Sequence, residues 1–203
     1  MAATLHKDPL NIIICGVGGQ GNILASELLA SALVKQGYYT TVGETYGASQ
    51  RGGSVMSHVR VSAVKQCGPL VPLHEADIIV GFEPIETLRI ARDYANRQTK
   101  IIFEPRPNYP LAVLLGESIY PDINAIEREL RELCSSVQII NATQLAIEAG
   151  NPQAANITLM GALTALPEIP LSDNDYTDIL KTRFNGTVLE LNQKVFFLGY
   201  SLL

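Results

Sequence analysis

The chain has 203 residues, 47% of them hydrophobic and only 17% charged, with a net charge of −5 and no block of Lys or Arg, so it lacks the electrostatic footprint of a nucleic-acid binder. The charged share lies below the roughly 25% of ordinary soluble domains, as expected of a surface partly covered by a partner. The longest apolar runs, such as Leu111 to Leu115, fall far short of the ~20 residues that span a bilayer, and the first residues hold no apolar signal core, so a cytoplasmic protein with no membrane contact is expected.

Leu10 to Cys15 (LNIIIC) is a short apolar run ending in glycines, the pattern of a parallel strand buried on both faces. Gly16 to Gly21 is the turn after it. Asn22 to Gln36 has the apolar spacing of a helix and is stopped by Gly37. Tyr38 to Val42 reads as a second strand, followed by a polar, glycine-rich loop from Gly43 to Gly53. Ser54 to Ser62 alternates, with Val55, Val59 and Val61 on one face and Met56, His58 and Arg60 on the other, the period of a half-buried strand whose direction the sequence leaves open.

Ala76 to Val80 and Lys100 to Phe103 are further buried strands, separated by a helix over Pro84 to Asn96 whose proline stands near its start. Four prolines between Pro105 and Pro121 predict a loop or small hairpin there, suited to an interface arm. Asp122 to Cys134 reads as a helix, Val137 to Ile140 as a last strand and Thr143 to Ala149 as a short helix. The apolar helix from Asn156 to Leu166 offers Gly161 and Ala162 for close approach of another backbone. Ser172 opens a Ser-x-x-Asp capping pattern and a long helix toward Gly199. Together these elements predict one α/β domain over 1–203: three-layer and Rossmann-like, with a mostly parallel sheet, helices on both faces and a long C-terminal helix.

Cys15, Cys67 and Cys134 are odd in number and widely spaced, without a C-x-x-C pair, so neither a disulfide framework nor a zinc or iron-sulfur site reads from them. Gly16, Gly18 and Gly21 satisfy G-x-G-x-x-G between a strand and a helix. With Gly19 and Gln20 they form either a phosphate-binding turn, backed by the first N–H groups of the helix, or a tight packing turn. A nicotinamide site further requires an acid about 20 residues on, at the end of the second strand, to hold the ribose; Glu44 is in range but lies beyond a glycine. The stretch ETYGASQRGGS places Glu44, Tyr46, Ser49, Arg51, Gly52 and Gly53 at the expected carboxyl edge of the sheet, where ligands bind in open α/β folds. Arg51 there either clamps an anion or ties the loop to backbone carbonyls.

GVGGQGNILASELLASAL, ETYGASQRGGSVMSHVRVS, NITLMGAL and LNQKVFFLGY, in this order, resemble the gamma subunit or domain of 2-oxoacid:ferredoxin oxidoreductases, nearest to the indolepyruvate-type subgroup, over nearly the whole chain. The resemblance implies that an oxoacid is decarboxylated on thiamine diphosphate, that electrons pass through iron-sulfur clusters to ferredoxin, and that coenzyme A takes the acyl group. It also implies that this chain holds no cofactor alone. It lacks a Gly-Asp-Gly run ahead of an Asn-Asn pair and a ferredoxin-like cysteine array, so thiamine diphosphate and the clusters belong to a large catalytic subunit. No catalytic or metal-binding residue is assigned to this chain. Alternatives from other classes are a self-sufficient NAD(P)-type dehydrogenase and a scaffold that binds nothing small. His58 is expected to be a structural hydrogen-bonder, and Glu83, before Pro84, a helix cap.

Overall fold

Every residue of Leu10–Val17 is buried and none is charged, so the segment is stable only as an interior strand, β1. The computed structural model describes residues 4–47 and 53–203. β1 pairs in parallel with β4 (Ile78–Gly81), from Ile12↔Ile78 to Cys15↔Gly81. β4 pairs in parallel with β5 (Lys100–Phe103), and β5 with β6 (Ser136–Ile139). On its other side β1 runs antiparallel to β3 (Ser54–Ser62), which runs antiparallel to β2 (Tyr39–Tyr46). The order is β2-β3-β1-β4-β5-β6, a mixed sheet in which β3 alone opposes the other strands. Too few residues separate β2 from β3 for a parallel crossover, so the pair closes as a hairpin.

The alternation along the strands sorts two cores. Ile12, Ile14, Val59 and Val61 face one layer, with Leu29 and Leu33 of α1 (Asn22–Lys35) and Met160 of α6 (Ala155–Ala165). Ile13, Cys15, Met56 and Ile79 face the other, with Ile90 of α2 (Pro84–Tyr94) and Leu130 of α4 (Ile123–Leu133). The faces expected for Val59, Val61 and Met56 are those observed. Cys15 is fully buried, and burial pushes its thiol far above the ordinary range, as befits a packing residue.

Two expectations need correction. The long C-terminal helix is two helices, α7 (Asp173–Arg183) and α8 (Gly186–Tyr200). Phe184 and Asn185 between them are extended, and Phe184 packs its ring against the first core. Burying that ring ends α7, and the left-handed Gly186 redirects the chain. Of the loop or small hairpin expected of the proline-rich segment, the hairpin is absent and the loop is present, holding a single helical turn, α3 (Leu111–Leu114). The capping box is present: Ser172 Oγ accepts from Asp175 N–H at 3.2 Å, and Asp175 Oδ2 accepts from Ser172 N–H at 2.8 Å.

α6 is buried from Asn156 to Thr164 and is crossed by α8 at backbone contact. A Cβ on Gly161 would stand 2.0 Å from Phe196 O, and one on Gly199 would stand 1.8 Å from Thr158 O. The close approach expected at Gly161 is present, and Gly199 of α8 supplies the second glycine that it requires. Among the described residues no helix is long and apolar enough to cross a membrane.

Candidate functional site

Where β1 leaves the sheet, Gly19 (φ 102°) and Gly21 (φ 81°) take left-handed conformations that L side chains resist. Gly18 is not among the left-handed glycines; its N–H donates to Gly53 O at 2.8 Å. Gln20 is committed to structure. Its Oε1 accepts from Val17 N–H at 2.8 Å and its Nε2 donates to Phe82 O at 2.8 Å, tying the end of β1 to the end of β4. Gly16 must lack a side chain because a Cβ there would lie 2.5 Å from Gln20 Oε1. Asn156, from the start of α6, donates to Gly21 O at 3.3 Å and stands where a Gly21 side chain would go.

Gly19 and Gly21 are thus constrained differently. A Cβ on Gly19 meets open space, whereas one on Gly21 falls 2.4 Å from Asn156 Nδ2. Gly19→Ala is expected to cost about 1 kcal/mol, the backbone strain alone. Gly21→Ala is expected to cost about 3 kcal/mol, since overpacking adds to the same strain. Urea unfolding of both variants checks this, and equal losses contradict it.

Gly19 opens onto a cavity of about 600 Å³ at the carboxyl edge of β1, β4 and β5, walled by Gln20, Phe82, Glu104, Arg106, Asn156 and Phe184. In open α/β sheets this edge is where ligands bind. Glu104 is only 4% exposed. Its Oε2 accepts from Thr143 N–H at 2.6 Å and its Oε1 from Arg106 N–H at 3.1 Å, so both oxygens hold backbone. Thr143 lies in the first turn of α5 (Ala142–Glu148). The exposed Arg106 enters no ion pair among the described residues. Sequence reasoning missed both residues, although a signal existed: Phe-Glu-Pro occurs at 82–84 and again at 103–105, each time ending a buried strand.

Glu83, the first of these two acids, is 2% exposed and caps α2, accepting from Glu86 N–H at 2.9 Å as expected. Its other oxygen accepts from Asn108 N–H at 3.4 Å and from the Tyr120 hydroxyl. Burial first, and this carboxylate second, hold the Tyr120 phenol well above its usual range. His58 is structural as expected. Its Nδ1 accepts from Val71 N–H at 3.2 Å, its ring meets Tyr94 edge-on, and burial together with the Arg60 charge lowers its pKa.

Glu44 is not in a loop. β2 and β3 stay paired as far as Tyr46↔Val55, so Glu44 and Tyr46 are strand residues and the connecting loop shrinks to 47–53. Gly43 sits within the strand because Pro69 packs over it; a Cβ there would be 2.7 Å from Pro69 O. Ser26 and Ser57 hydroxyls donate to the two oxygens of Glu44 at 2.8 and 2.6 Å. β3 separates β2 from β1, so this acid, level with Ser57 and Ile14, lies two strand spacings, about 10 Å, from β1 and short of the glycine turn. The ribose-holding acid of a dinucleotide site is therefore not assembled. Tyr46 is exposed. Ser49, Arg51 and Gly52 lie outside the described residues. Gly53, through Gly18, brings that loop to the glycine turn.

Residues 11–202 match the family described as pyruvate ferredoxin/flavodoxin oxidoreductase. The chain is 39% identical over 190 residues to the indolepyruvate oxidoreductase subunit IorB of Pyrococcus horikoshii, covering 93% of each chain. With the same-named subunit of Archaeoglobus fulgidus it shares 34% over 192 residues, 95% of this chain and 94% of that one. Among solved structures it resembles the 2-oxoglutarate:ferredoxin oxidoreductase of Magnetococcus marinus, solved with 2-oxoglutarate, coenzyme A and succinyl-CoA bound. The TM-score is 0.75 at 26% identity, over 97% of this chain and 31% of that one.

Proposed function

Because the chain belongs to the pyruvate ferredoxin/flavodoxin oxidoreductase family, we propose that it is the small subunit of a 2-oxoacid:ferredoxin oxidoreductase of the indolepyruvate type. It is a single cytoplasmic domain, active only beside a larger catalytic subunit. The observation that carries this is the junction of its two motifs: the glycine turn and the arginine-diglycine loop meet through Gly18 and Gly53 at the carboxyl edge of the sheet, beside the cavity. The turn itself lines the cavity through Gly19, Gln20 and Gly21, and Gly53 stands one hydrogen bond away from it.

The one buried acid that walls the cavity among the described residues is already committed. Both oxygens of Glu104 are occupied by backbone N–H groups. Among the described residues no cluster of three or more His, Cys, Asp or Glu could hold a metal, so their donor set does not fit an iron-sulfur cluster and no step is placed on one here. Thiamine diphosphate and the clusters are assigned to the catalytic subunit, which passes electrons to ferredoxin. Coenzyme A supplies the thiol that accepts the acyl group. This chain's part is to bind and orient: the turn's N–H groups other than those of Gly18 and Gln20, which already donate within the chain, together with Arg51 and Arg106 offer positive charge to an anionic co-substrate in the shared cleft.

The purified chain is expected to contain neither iron nor thiamine, to be inactive with any oxoacid, and to restore oxoacid-dependent ferredoxin reduction when mixed with its catalytic subunit. Oxoacid-dependent NAD reduction by the chain alone contradicts the proposal. Within the complex, Arg51→Ala should fold normally, its stability moving by about 0.5 kcal/mol or less. It should weaken assembly or raise the KM for coenzyme A by about tenfold to a hundredfold, the equivalent of one charged hydrogen bond. Arg51→Lys should recover part of that loss, keeping the charge without the planar fork. An Arg51→Ala complex equal to native in both respects removes Arg51 from the site.

A further inference from the structure

We propose that the arm from 105 to 121, together with the groove between α2 and α4 at its root, is the surface that docks the catalytic subunit; this rests on the subunit assignment above. The arm leaves the carboxyl end of β5 and turns back on itself. Its tip is built, since Leu114 N–H donates to Pro110 O at 3.1 Å, and Glu117 and Ser118 N–H donate to Ala112 O at 2.8 and 3.2 Å. Its two ends are clamped at the base, where Asn108 N–H and the Tyr120 hydroxyl share one oxygen of the buried Glu83. The Tyr109 and Tyr120 rings meet edge to face, with centroids 5.3 Å apart.

This ordered tip shows its apolar side chains to solvent: Leu114 is 68% exposed, Leu115 62% and Ile119 92%. Single exposed apolar residues are ordinary, but three within six residues of one short arm suit an interaction surface. The surface continues past Pro121 into a groove of about 450 Å³ floored by Ile85, Leu88, Ala125 and Ile126. Arg89 paired with Glu86 and Arg92 paired with Glu129 edge it. An apolar floor inside a polar rim is the anatomy of a protein interface, and the mixed signs of the rim do not suit a polyanion.

The occupant is the catalytic subunit. The same fold is a separate chain in the IorB relatives and 31% of a longer chain in the 2-oxoglutarate enzyme, so it must meet a larger neighbour through its own surface. The arm springs from the sheet edge that carries the glycine turn, so docking there closes the cleft in the same movement.

The test is the double variant Leu115→Asp/Ile119→Asp in the full chain, its affinity for the catalytic subunit measured by titration calorimetry. Binding should weaken at least about tenfold, as when an interface anchor is lost, while the urea midpoint stays native. Val64→Asp is the control: Val64 is 74% exposed just beyond β3, at the opposite edge of the sheet, and its variant should bind as native does. Native affinity in the double variant overturns the proposal. So does a double variant that abolishes self-association of the free chain in sedimentation yet leaves the complex intact, since the occupant is then a second copy. If the unaltered chain fails to bind the catalytic subunit at all, the subunit assignment falls as well, which sets that failure apart from a misplaced docking surface.

Discussion

Gly161→Val is expected to lower stability by about 3 kcal/mol, or roughly 6–12 °C in Tm for a chain of this size. The first added carbon already falls 2.0 Å from Phe196 O, and that atom is backbone, which cannot swing aside as a side chain does. Gly161→Ala decides between two effects. Helix propensity favours Ala over Gly by about 1 kcal/mol, so a stabilised Ala variant would show that the crossing has slack. A destabilised one shows that the contact between α6 and α8 outweighs propensity. Gly199→Ala probes the same crossing from the other helix, 1.8 Å from Thr158 O. Once either change has pushed the helices apart the second meets less resistance, so the double variant should lose less than the two single losses added. Thermal unfolding of the four variants measures all of this, and additive losses rule out a shared crossing.

Glu83→Ala is expected to cost about 4 kcal/mol, combining the loss of a helix cap with the orphaning of donors that held a buried carboxylate. Those donors are Glu86 N–H, Asn108 N–H and the Tyr120 hydroxyl. Glu83→Gln should cost less, because its amide keeps one acceptor oxygen. The Tyr120 phenol supplies a signature that bulk stability does not. Burial, then Glu83, raise its pKa in the folded chain, so folded protein keeps a proton that unfolded protein releases. Its contribution is full below the unfolded value of about 10 and is lost as pH rises above it toward the folded value. With Glu83 removed, one cause of the raised value goes, and the alkaline fall in stability should become shallower. Urea midpoints measured between neutral and alkaline pH test this; an unchanged alkaline slope in Glu83→Ala denies the clamp.

Local chemistry carried much of the fold into view. Lys100–Phe103 and Ser54–Ser62 form strands with the bounds their patterns predict, because the short apolar run Ile101 to Phe103 and a period-two placement of valines each favour extended backbone. Ser172 and Asp175 build the cap that their spacing announces. Glu44 was misplaced because a glycine reads locally as a turn. Pairing with β3 carries the strand through Gly43, and Pro69, 26 residues downstream, packs where its side chain would be. Glu104 and Arg106 stayed hidden because no local pattern tells an acid that ends a strand from one that walls a cavity.

What the sequence determined by itself is what repeats over a few residues: which segments are strands, where helices start, and that a glycine turn follows the first strand; that Ser54–Ser62, read as half-buried, buries both faces was not among them. Those choices are made by side-chain period and backbone sterics within a segment, and they survive in one dimension. Only the tertiary structure decided that β3 lies between β1 and β2, which takes Glu44 from the glycine turn and gives it to Ser26 and Ser57. It alone decided that Gly53 meets Gly18, and that Gly161 and Gly199 are one contact rather than two soft spots. Strand order and helix crossings are set by burying whole faces against one another, a sum over distant residues that no single segment records.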